Sequence, residues 1–115
     1  MAESGVRAEQ LAADYLESHG YSILARNFKT YYYEIDIVAQ SSHAVHIVEV
    51  KYRRSREFGD PLEYITNAKA TRLRRAARAW TVDQDWQGDV QVDVIGISGP
   101  LDDPQIRLVA NALGA

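Results

Sequence analysis

Residues 34–51 decide the fold of this chain, and they read EIDIVAQSSHAVHIVEVK. Two runs rich in β-branched residues flank a short polar connection, which is the pattern of two strands joined by a hairpin. We place these strands at Glu34 to Gln40 and at Ala44 to Tyr52. Strands joined by so short a turn pair in the antiparallel sense, so the segment predicts a β-hairpin.

Charged residues interrupt both predicted strands. Because successive side chains point to opposite faces of a strand, Asp36 is expected on the face opposite Ile35 and Ile37. By the same alternation, Glu49 and Lys51 share one face of the next strand. If the two strands pair, the carboxylates of Asp36 and Glu49 meet on one face of the sheet, with Lys51 beside them.

Two carboxylates held close together repel each other, and a divalent cation relieves the repulsion. Hard oxygen ligands completed by water suit Mg²⁺ or Mn²⁺. Lys51 could then orient a water nucleophile or stabilise charge on a phosphate. Two carboxylates, a cation and such a lysine are the groups that metal-assisted phosphodiester hydrolysis requires. The spacing alone also fits cross-strand ion pairs on an exposed strand face, and both interpretations stay open at this point.

Outside the hairpin, hydrophobic periodicity and turn residues predict the order α-β-β-β-α-β-β. Strand–helix–strand connections favour a parallel pair, so we expect an α/β domain with a mixed central sheet flanked by helices. A single domain should span residues 1–115. The remaining predicted elements are a helix from Ser4 to about His19, a strand from Tyr21 to Phe28, a helix from about Leu62 to Trp80, and strands at Val90–Ile97 and about Gln105–Val109.

Each predicted helix carries one charged residue on or beside its apolar face, where an uncharged side chain is expected. Glu9 falls next to Leu16 at the edge of the apolar arc of the first helix, so its carboxylate should look toward the body of the protein. Lys69 falls between Ile65 and Ala76 in the apolar stripe of the second helix. Because an unpaired buried ammonium is very costly, Lys69 requires a polar destination.

The charge is divided unevenly along the chain. The whole sequence of 115 residues has a net charge of −3, which taken globally argues against a simple basic nucleic-acid binder. Residues 51–78, however, hold nine of the 13 Lys and Arg residues and carry +6, whereas the remainder carries −9. Such a basic lobe can attract phosphate, although a solvated helix face produces the same run of charges.

Several classes of protein are excluded or disfavoured. The chain has no Cys, which excludes disulfides, thiolate metal sites and a Cys nucleophile. No stretch approaches the ~20 apolar residues of a membrane span, and the first nine residues do not resemble a signal peptide, so we expect a cytoplasmic protein. Ser41 and the histidines form no recognisable nucleophile, base and orienting set. Asp93 is expected to be an ion-pair partner of a basic residue.

Several motifs follow one another along the chain, namely EQLAADYL at 9–16, EIDIVA at 34–39, VEVKYR at 48–53, Phe58-Gly59 with Pro61, and Lys69 with the apolar residues that follow it. Together they resemble an uncharacterised bacterial family related to archaeal Holliday-junction resolvases, within the PD-(D/E)XK nuclease superfamily. The resemblance covers nearly the whole chain. It implies a restriction-endonuclease-like core.

The resemblance also implies roles for the five charged residues. Asp36 and Glu49 match the metal ligands, here for Mg²⁺ or Mn²⁺, and Lys51 matches the catalytic lysine. Glu9 resembles the helix carboxylate that completes the site in resolvase-like members, and Lys69 occupies the helix position from which related nucleases add a polar side chain. By the same analogy the carbonyl of Val50 would be a further ligand, and the protein would act as a homodimer.

Three functions follow as hypotheses. The first is a metal-dependent nuclease that cuts structured or branched DNA and contacts its phosphates through five arginines. The second is a non-enzymatic nucleic-acid-binding module that retains the nuclease fold, and the third is an adaptor whose basic lobe meets an acidic protein. The five arginines of the first hypothesis are Arg53, Arg54, Arg56, Arg72 and Arg75.

The sequence departs from the family pattern immediately before residue 34. The family usually has Gly there, whereas this chain has Tyr33 at the end of a Tyr31–Tyr33 series. A glycine in that place would allow a positive φ or a close approach of substrate. The tyrosines could instead stack on unpaired bases or cover the edge of the core.

Overall fold

The computed structural model describes residues 2–31, 33–55, 63 and 65–114. The predicted order of helices and strands is confirmed, and the last strand has the predicted bounds. The first helix begins at Ala2, before the predicted cap at Ser4. The predicted start of the second helix at about Leu62 is wrong, because Thr66 has an extended backbone and caps a helix that begins at Asn67. Leu62 itself and the motif Phe58-Gly59 with Pro61 lie outside the described residues. The elements are α1 (Ala2–Ser18), β1 (Ser22–Lys29), β2 (Glu34–Ser41), β3 (Ala44–Arg53), α2 (Asn67–Asp83), β4 (Asp89–Ser98) and β5 (Gln105–Val109).

The five strands form one sheet in the order β1-β2-β3-β4-β5. Neighbouring strands are antiparallel except for β3 and β4, which are parallel and are connected through α2. The predicted mixed sheet and the parallel pair across the helical crossover are therefore confirmed. β3 is the central strand, so residues on it can contact both helices.

Each helix covers one face of the sheet. The face under α1 is built from Ala8, Ala12, Leu16, Ile37, Val48 and Ile95, among others. The face under α2 is built from Val38, Val45, Ile47, Leu73, Ala76 and Trp80, among others. Because Val45 and Ile47 belong to the α2 face, Glu49 and Lys51 follow them on that face by strand alternation.

The N-terminal turn of α2 is fixed by a cap. The Thr66 hydroxyl accepts a hydrogen bond from the Lys69 N–H at 3.1 Å, as an N-cap residue does. The helix buries Leu73, Ala76 and Trp80, which were predicted for its inner face. The cap therefore places Lys69 in the first turn with its side chain next to the sheet.

The pairing of β2 with β3 runs from Ser41 and Ala44 to Ile37 and Val48 and stops there. Beyond this point strict alternation fails, since Ile37 packs under α1 whereas Ile35 packs under α2. The expectation that Ile35 and Ile37 share a face is therefore wrong. The Val50 N–H, which a continued pairing would satisfy with a main-chain carbonyl, donates instead to the Asp36 carboxylate.

In the described part of the chain, no helix combines the length and apolar character needed to cross a membrane.

Candidate functional site

A group of charged and polar side chains lies where β2 and β3 cease to pair, and we call it the carboxylate site. Its members are Tyr33, Asp36, Glu49, Lys51 and Lys69. Oδ2 of Asp36 accepts the Val50 N–H at 2.8 Å, which anchors the carboxylate between the two strands. The structure thus brings Asp36 of β2 and Glu49 of β3 together, as their strand positions predicted.

Glu49 is the most enclosed member of the site, with 5% of the residue exposed. Its Oε2 atom lies 2.6 Å from the Lys69 ammonium nitrogen and accepts a hydrogen bond from the Tyr33 hydroxyl at 3.1 Å. The inward direction predicted for Lys69 is therefore confirmed, and Glu49 is its polar destination. One carboxylate oxygen carries both contacts.

Asp36 has a strongly perturbed acidity. Burial and the nearby Glu49 carboxylate raise the pKa of Asp36 to about 7, with a smaller contribution from Glu9, although the Val50 N–H acts in the opposite direction. A carboxyl that resists ionisation near neutral pH marks a site that is partly removed from water and in which negative charge is crowded. Such crowding is expected where carboxylates are arranged to receive a cation or a proton.

Lys51 has a lowered pKa, mainly because it is partly removed from water and also because the positive charges of Arg53 and Lys69 lie nearby. The carboxylates of Glu49 and Asp36 act in the opposite direction. Lys51 is therefore within electrostatic reach of both carboxylates, as its strand position predicted.

The carboxyl groups of Asp36 and Glu49 fit a hard divalent cation. Mg²⁺ is commonly held through one or two carboxylates and keeps several waters, so two protein ligands from adjacent strands suffice. A cation would also relieve the repulsion that raises the pKa of Asp36. Over the residues with a described position, however, no three His, Cys, Asp or Glu side chains come close enough to hold one ion together. Glu9 as a third ligand stays a prediction.

Tyr33 is built into the site by its backbone. Its carbonyl accepts hydrogen bonds from the Thr30 N–H at 2.9 Å and from the Thr30 hydroxyl at 2.7 Å, and its own N–H donates to that hydroxyl. Tyr33 does not have a positive φ, so the backbone conformation at this position does not require a glycine. Burial, followed by the Glu49 charge, raises the pKa of the Tyr33 phenol. Its hydroxyl therefore stays protonated as a donor.

Tyr31 and Tyr33 of the tyrosine series differ in how far they are buried. The Tyr33 ring is half-buried and lies beneath the Arg72 guanidinium, 6.0 Å from its centroid. Tyr31 is 95% exposed, and Tyr32 lies outside the described residues. Of the two tyrosines of this series with described positions, Tyr31 is thus the more exposed.

The arginines predicted to contact phosphate lie at the same end of the sheet or along α2. Arg53 ends β3 just after Lys51 and donates to the Tyr52 carbonyl at 3.3 Å, and Arg54 is exposed. Arg72 and Arg75 are exposed on α2, one and two turns after Lys69. Arg56 lies outside the described residues.

A groove beside the C-terminal end of β3 adds a cation that sequence reasoning missed. It has a volume of about 450 Å³ and is lined by Arg7, Tyr52, Arg54, Pro100 and Leu101. Within the described residues, this lining contributes two guanidinium groups and no carboxylate. Arg7 lies two residues before Glu9 on α1. Because Tyr52 packs under α1, the groove places positive charge on the α1 face of the sheet, near the end of β3.

A second polar cluster lies at the other end of β2 and β3, and we call it the His46 cluster. His46 Nδ1 lies 2.7 Å from Oδ2 of Asp93, and its Nε2 lies 2.6 Å from the Ser41 hydroxyl. Oδ1 of Asp93 accepts from the Gln91 side chain at 2.8 Å and from the Asn111 N–H at 2.9 Å. The expectation that Asp93 pairs with a basic residue is confirmed, whereas the alignment of Ser41 with His46 was missed.

The fold and the carboxylate site define a mixed α/β protein with a five-stranded sheet and two helices, bearing paired carboxylates beside lysines and arginines. The chain belongs to the family described as "Uncharacterised protein family UPF0102", whose model matches residues 8–97. This match includes every member of the carboxylate site and of the His46 cluster except Asn111.

Bacterial relatives agree with this membership over most of their length. A UPF0102 protein of Leifsonia xyli subsp. xyli is 43% identical over 96 residues, which are 83% of this chain and 81% of the relative. A UPF0102 protein of Bifidobacterium longum is 41% identical over 112 residues, 94% of this chain and 90% of the relative. One of Cytophaga hutchinsonii is 34% identical over 97 residues, 84% and 86% respectively.

Proposed function

We propose that this protein is a metal-dependent endonuclease of the PD-(D/E)XK type that cuts structured or branched DNA. The observation that carries the proposal is the meeting of Asp36 and Glu49 at the point where β2 and β3 separate, with the pKa of Asp36 raised to about 7 and Lys51 within electrostatic reach. The element order fits a restriction-endonuclease-like core, which is part of the proposal, as is the relationship to archaeal resolvases.

In this function Asp36 and Glu49 would hold Mg²⁺ or Mn²⁺, with Glu9 near enough to add negative charge. When bound, such an ion supplies charge neutralisation at the scissile phosphate and a more acidic water. The Val50 N–H keeps the Asp36 carboxylate oriented between the strands. Tyr33 and Lys69 fix the direction of the Glu49 carboxylate.

Lys51 stands on the same strand as Glu49, two residues further on. Its ammonium can donate to an attacking water or to a non-bridging phosphate oxygen on which charge develops. The lowered pKa of Lys51 makes proton donation from it easier than from an ordinary lysine. Lys51 is therefore assigned to the chemical step rather than to metal binding.

Phosphate contacts would come from both sides of the site. Arg53 and Arg54 follow Lys51 in the chain, Arg7 and Arg54 line one groove, and Arg72 lies over Tyr33. Phosphate contacts position a duplex without reading its sequence. The substrate would accordingly be selected by shape, and a homodimer would present two sites to the two strands of a junction.

The test is cleavage of labelled four-way junctions, forks, duplexes and single strands in Mg²⁺ or Mn²⁺, with EDTA as the metal-free reference. We expect Asp36→Asn, Glu49→Gln and Lys51→Met each to lower the cleavage rate by at least about 100-fold, because each removes a group that stabilises the transition state. Circular dichroism should verify that the variants fold.

Matched controls are available on the surface. Asp102→Asn removes an exposed carboxylate in the turn before β5, and Lys29→Met removes an exposed lysine at the end of β1. Both should cleave at the wild-type rate. Absence of metal-dependent cleavage on every substrate by the folded wild-type protein would reject the nuclease proposal.

A second candidate function is a nucleic-acid-binding module without cleavage. It is favoured by one observation, namely that Lys69 and Tyr33 already hold the same oxygen of Glu49. In that case Asp36→Asn should leave DNA affinity unchanged or improved, and the affinity should fall linearly with the logarithm of salt concentration. Arg54→Gln should reduce that salt slope by about one.

A further inference from the structure

Lys69 occupies the place at Glu49 where a cation would bind. Its ammonium nitrogen lies 2.6 Å from Oε2 of Glu49, and the side chains are 18% and 6% exposed, respectively. One of the two carboxylates assigned to the metal is thus already paired with a positive charge from the chain itself. Burying Glu49 without such a partner would be costly.

The helix itself offers no reason to place a lysine here. Lys69 lies in the first turn of α2, where its own N–H is held by the Thr66 cap and where the first turn contains no acidic residue. The partial positive charge of a helix N-terminus disfavours a nearby cation. The position of the Lys69 ammonium is therefore explained by Glu49 and not by α2.

The Lys69 side chain also has the length and the exposure to swing away from Glu49. It has a flexible four-carbon stem, and its exposed fraction gives the ammonium a route to water. The Tyr33 hydroxyl would continue to donate to Glu49 after such a movement, because its backbone is held separately by Thr30. Glu49 would then keep its orientation while exchanging one cation for another.

We propose that Lys69 is an internal counter-ion that competes with a divalent cation for Glu49 and so sets the metal affinity of the carboxylate site. This inference rests on the metal site of the proposed function. Two consequences follow. The protein folds without metal because Lys69 balances the charge of Glu49, and metal binding requires the ammonium to be displaced or pushed away.

The test compares Mn²⁺ binding, measured by the electron paramagnetic resonance signal of free Mn²⁺, in the wild type, Lys69→Met and Lys69→Arg. Lys69→Met keeps the length of the side chain and removes its charge, so it should bind Mn²⁺ at least about tenfold more tightly. Lys69→Arg keeps the charge and should stay within about threefold of the wild type. Arg78→Met, which removes an exposed cation from the same helix, is the control and should not change the affinity.

Thermal unfolding provides the second measurement. In EDTA, Lys69→Met should melt below the wild type, and saturating Mn²⁺ should raise its Tm by more than it raises that of the wild type, because a ligand bound to the native state stabilises it. If Lys69→Met does not fold, Lys69→Gln replaces it, because glutamine keeps a hydrogen-bond donor for Glu49 without a charge. Lys69→Gln must then show the same increase in Mn²⁺ affinity.

Equal or weaker Mn²⁺ binding in the uncharged variants would overturn the competition, because a purely structural role lowers stability without improving metal affinity. Absence of Mn²⁺ binding in all variants would overturn the inference together with the metal site. Tighter binding by Lys69→Met in a protein that cuts no DNA would leave the inference standing and reject only the nuclease function.

Discussion

The carboxylate site and the His46 cluster lie at opposite ends of the β2–β3 pair and differ in how completely their charges are satisfied. In the His46 cluster Asp93 is 0% exposed, and its two oxygens receive three donors from His46, Gln91 and Asn111. In the carboxylate site Asp36 is only partly buried, and burial together with the nearby Glu49 carboxylate raises its pKa. One cluster is closed, whereas the other has charge that a ligand could still satisfy.

This difference decides how the Ser41–His46–Asp93 alignment is interpreted. Because a carboxylate only accepts hydrogen bonds, Nδ1 of His46 is the donor to Asp93 and Nε2 faces Ser41, which is the order of groups in a catalytic triad. His46 is only 4% exposed, however, and its ring lies in a T-shaped contact with the Tyr21 ring, with 4.8 Å between the two centroids. A base enclosed in this way cannot reach a substrate, so we assign the cluster to stability.

The largest expected effect is on folding and comes from the closed cluster. Asp93→Asn puts an amide nitrogen where one oxygen of Asp93 accepts from His46 or the other accepts from Gln91 and Asn111, and each buried donor left unpaired costs about 1 to 3 kcal/mol, or more for a charged group. Glu49→Gln should lower the free energy of unfolding by at most about half of the amount lost in Asp93→Asn. The reason is that relief of the repulsion with Asp36 offsets the lost pairing with Lys69. Urea unfolding of both variants measures the two losses.

Equal losses of unfolding free energy in Asp93→Asn and Glu49→Gln would contradict the distinction between a closed and an open cluster. Asp83→Asn, which changes an exposed carboxylate at the end of α2, serves as the reference for a substitution without structural cost.

The second prediction concerns pH and depends on Asp36. Its folded pKa of about 7 lies above the ordinary value of 3.8, so folding favours the protonated carboxyl. This contribution to the free energy of unfolding is fully present below about pH 4 and is lost as the pH rises through about 7. In EDTA, the stability of the wild type should therefore fall relative to Asp36→Asn across this interval, because the amide cannot ionise.

Urea unfolding at pH 5 and pH 8 would measure the difference between the two proteins. A difference that stays constant between these pH values would show that the crowding at Asp36 is absent, and the contrast with the His46 cluster would lose its electrostatic basis.

The smallest effects come from removing one hydroxyl from each cluster. Ser41→Ala leaves a nitrogen of the buried His46 ring without its partner, which costs about 1 to 3 kcal/mol. Tyr33→Phe should cost less than about 1 kcal/mol, because Lys69 still pairs with Glu49. Thermal unfolding of the two variants ranks them, and the reverse order would mean that the carboxylate site is the more tightly constrained cluster.

Much of the fold could be predicted because its signals are local. The alternation in residues 34–51, the turn at 40–43 and the apolar stripe of α2 each depend on neighbours in sequence, and the element order followed from them. The main local failure was at Ile35, where β2 stops pairing with β3. Alternation assumes a regular strand, so it cannot foresee where a side chain replaces a main-chain partner.

The sequence by itself determined that Asp36, Glu49 and Lys51 share a region of the sheet and that Lys69 turns inward, because strand and helix periods fix directions. Only the tertiary structure decided which atoms meet. The Asp36 carboxylate accepts the N–H of a residue 14 positions away, and Asp93 reaches His46 across 47 positions. Such contacts depend on how separate elements pack, and no local period encodes that packing.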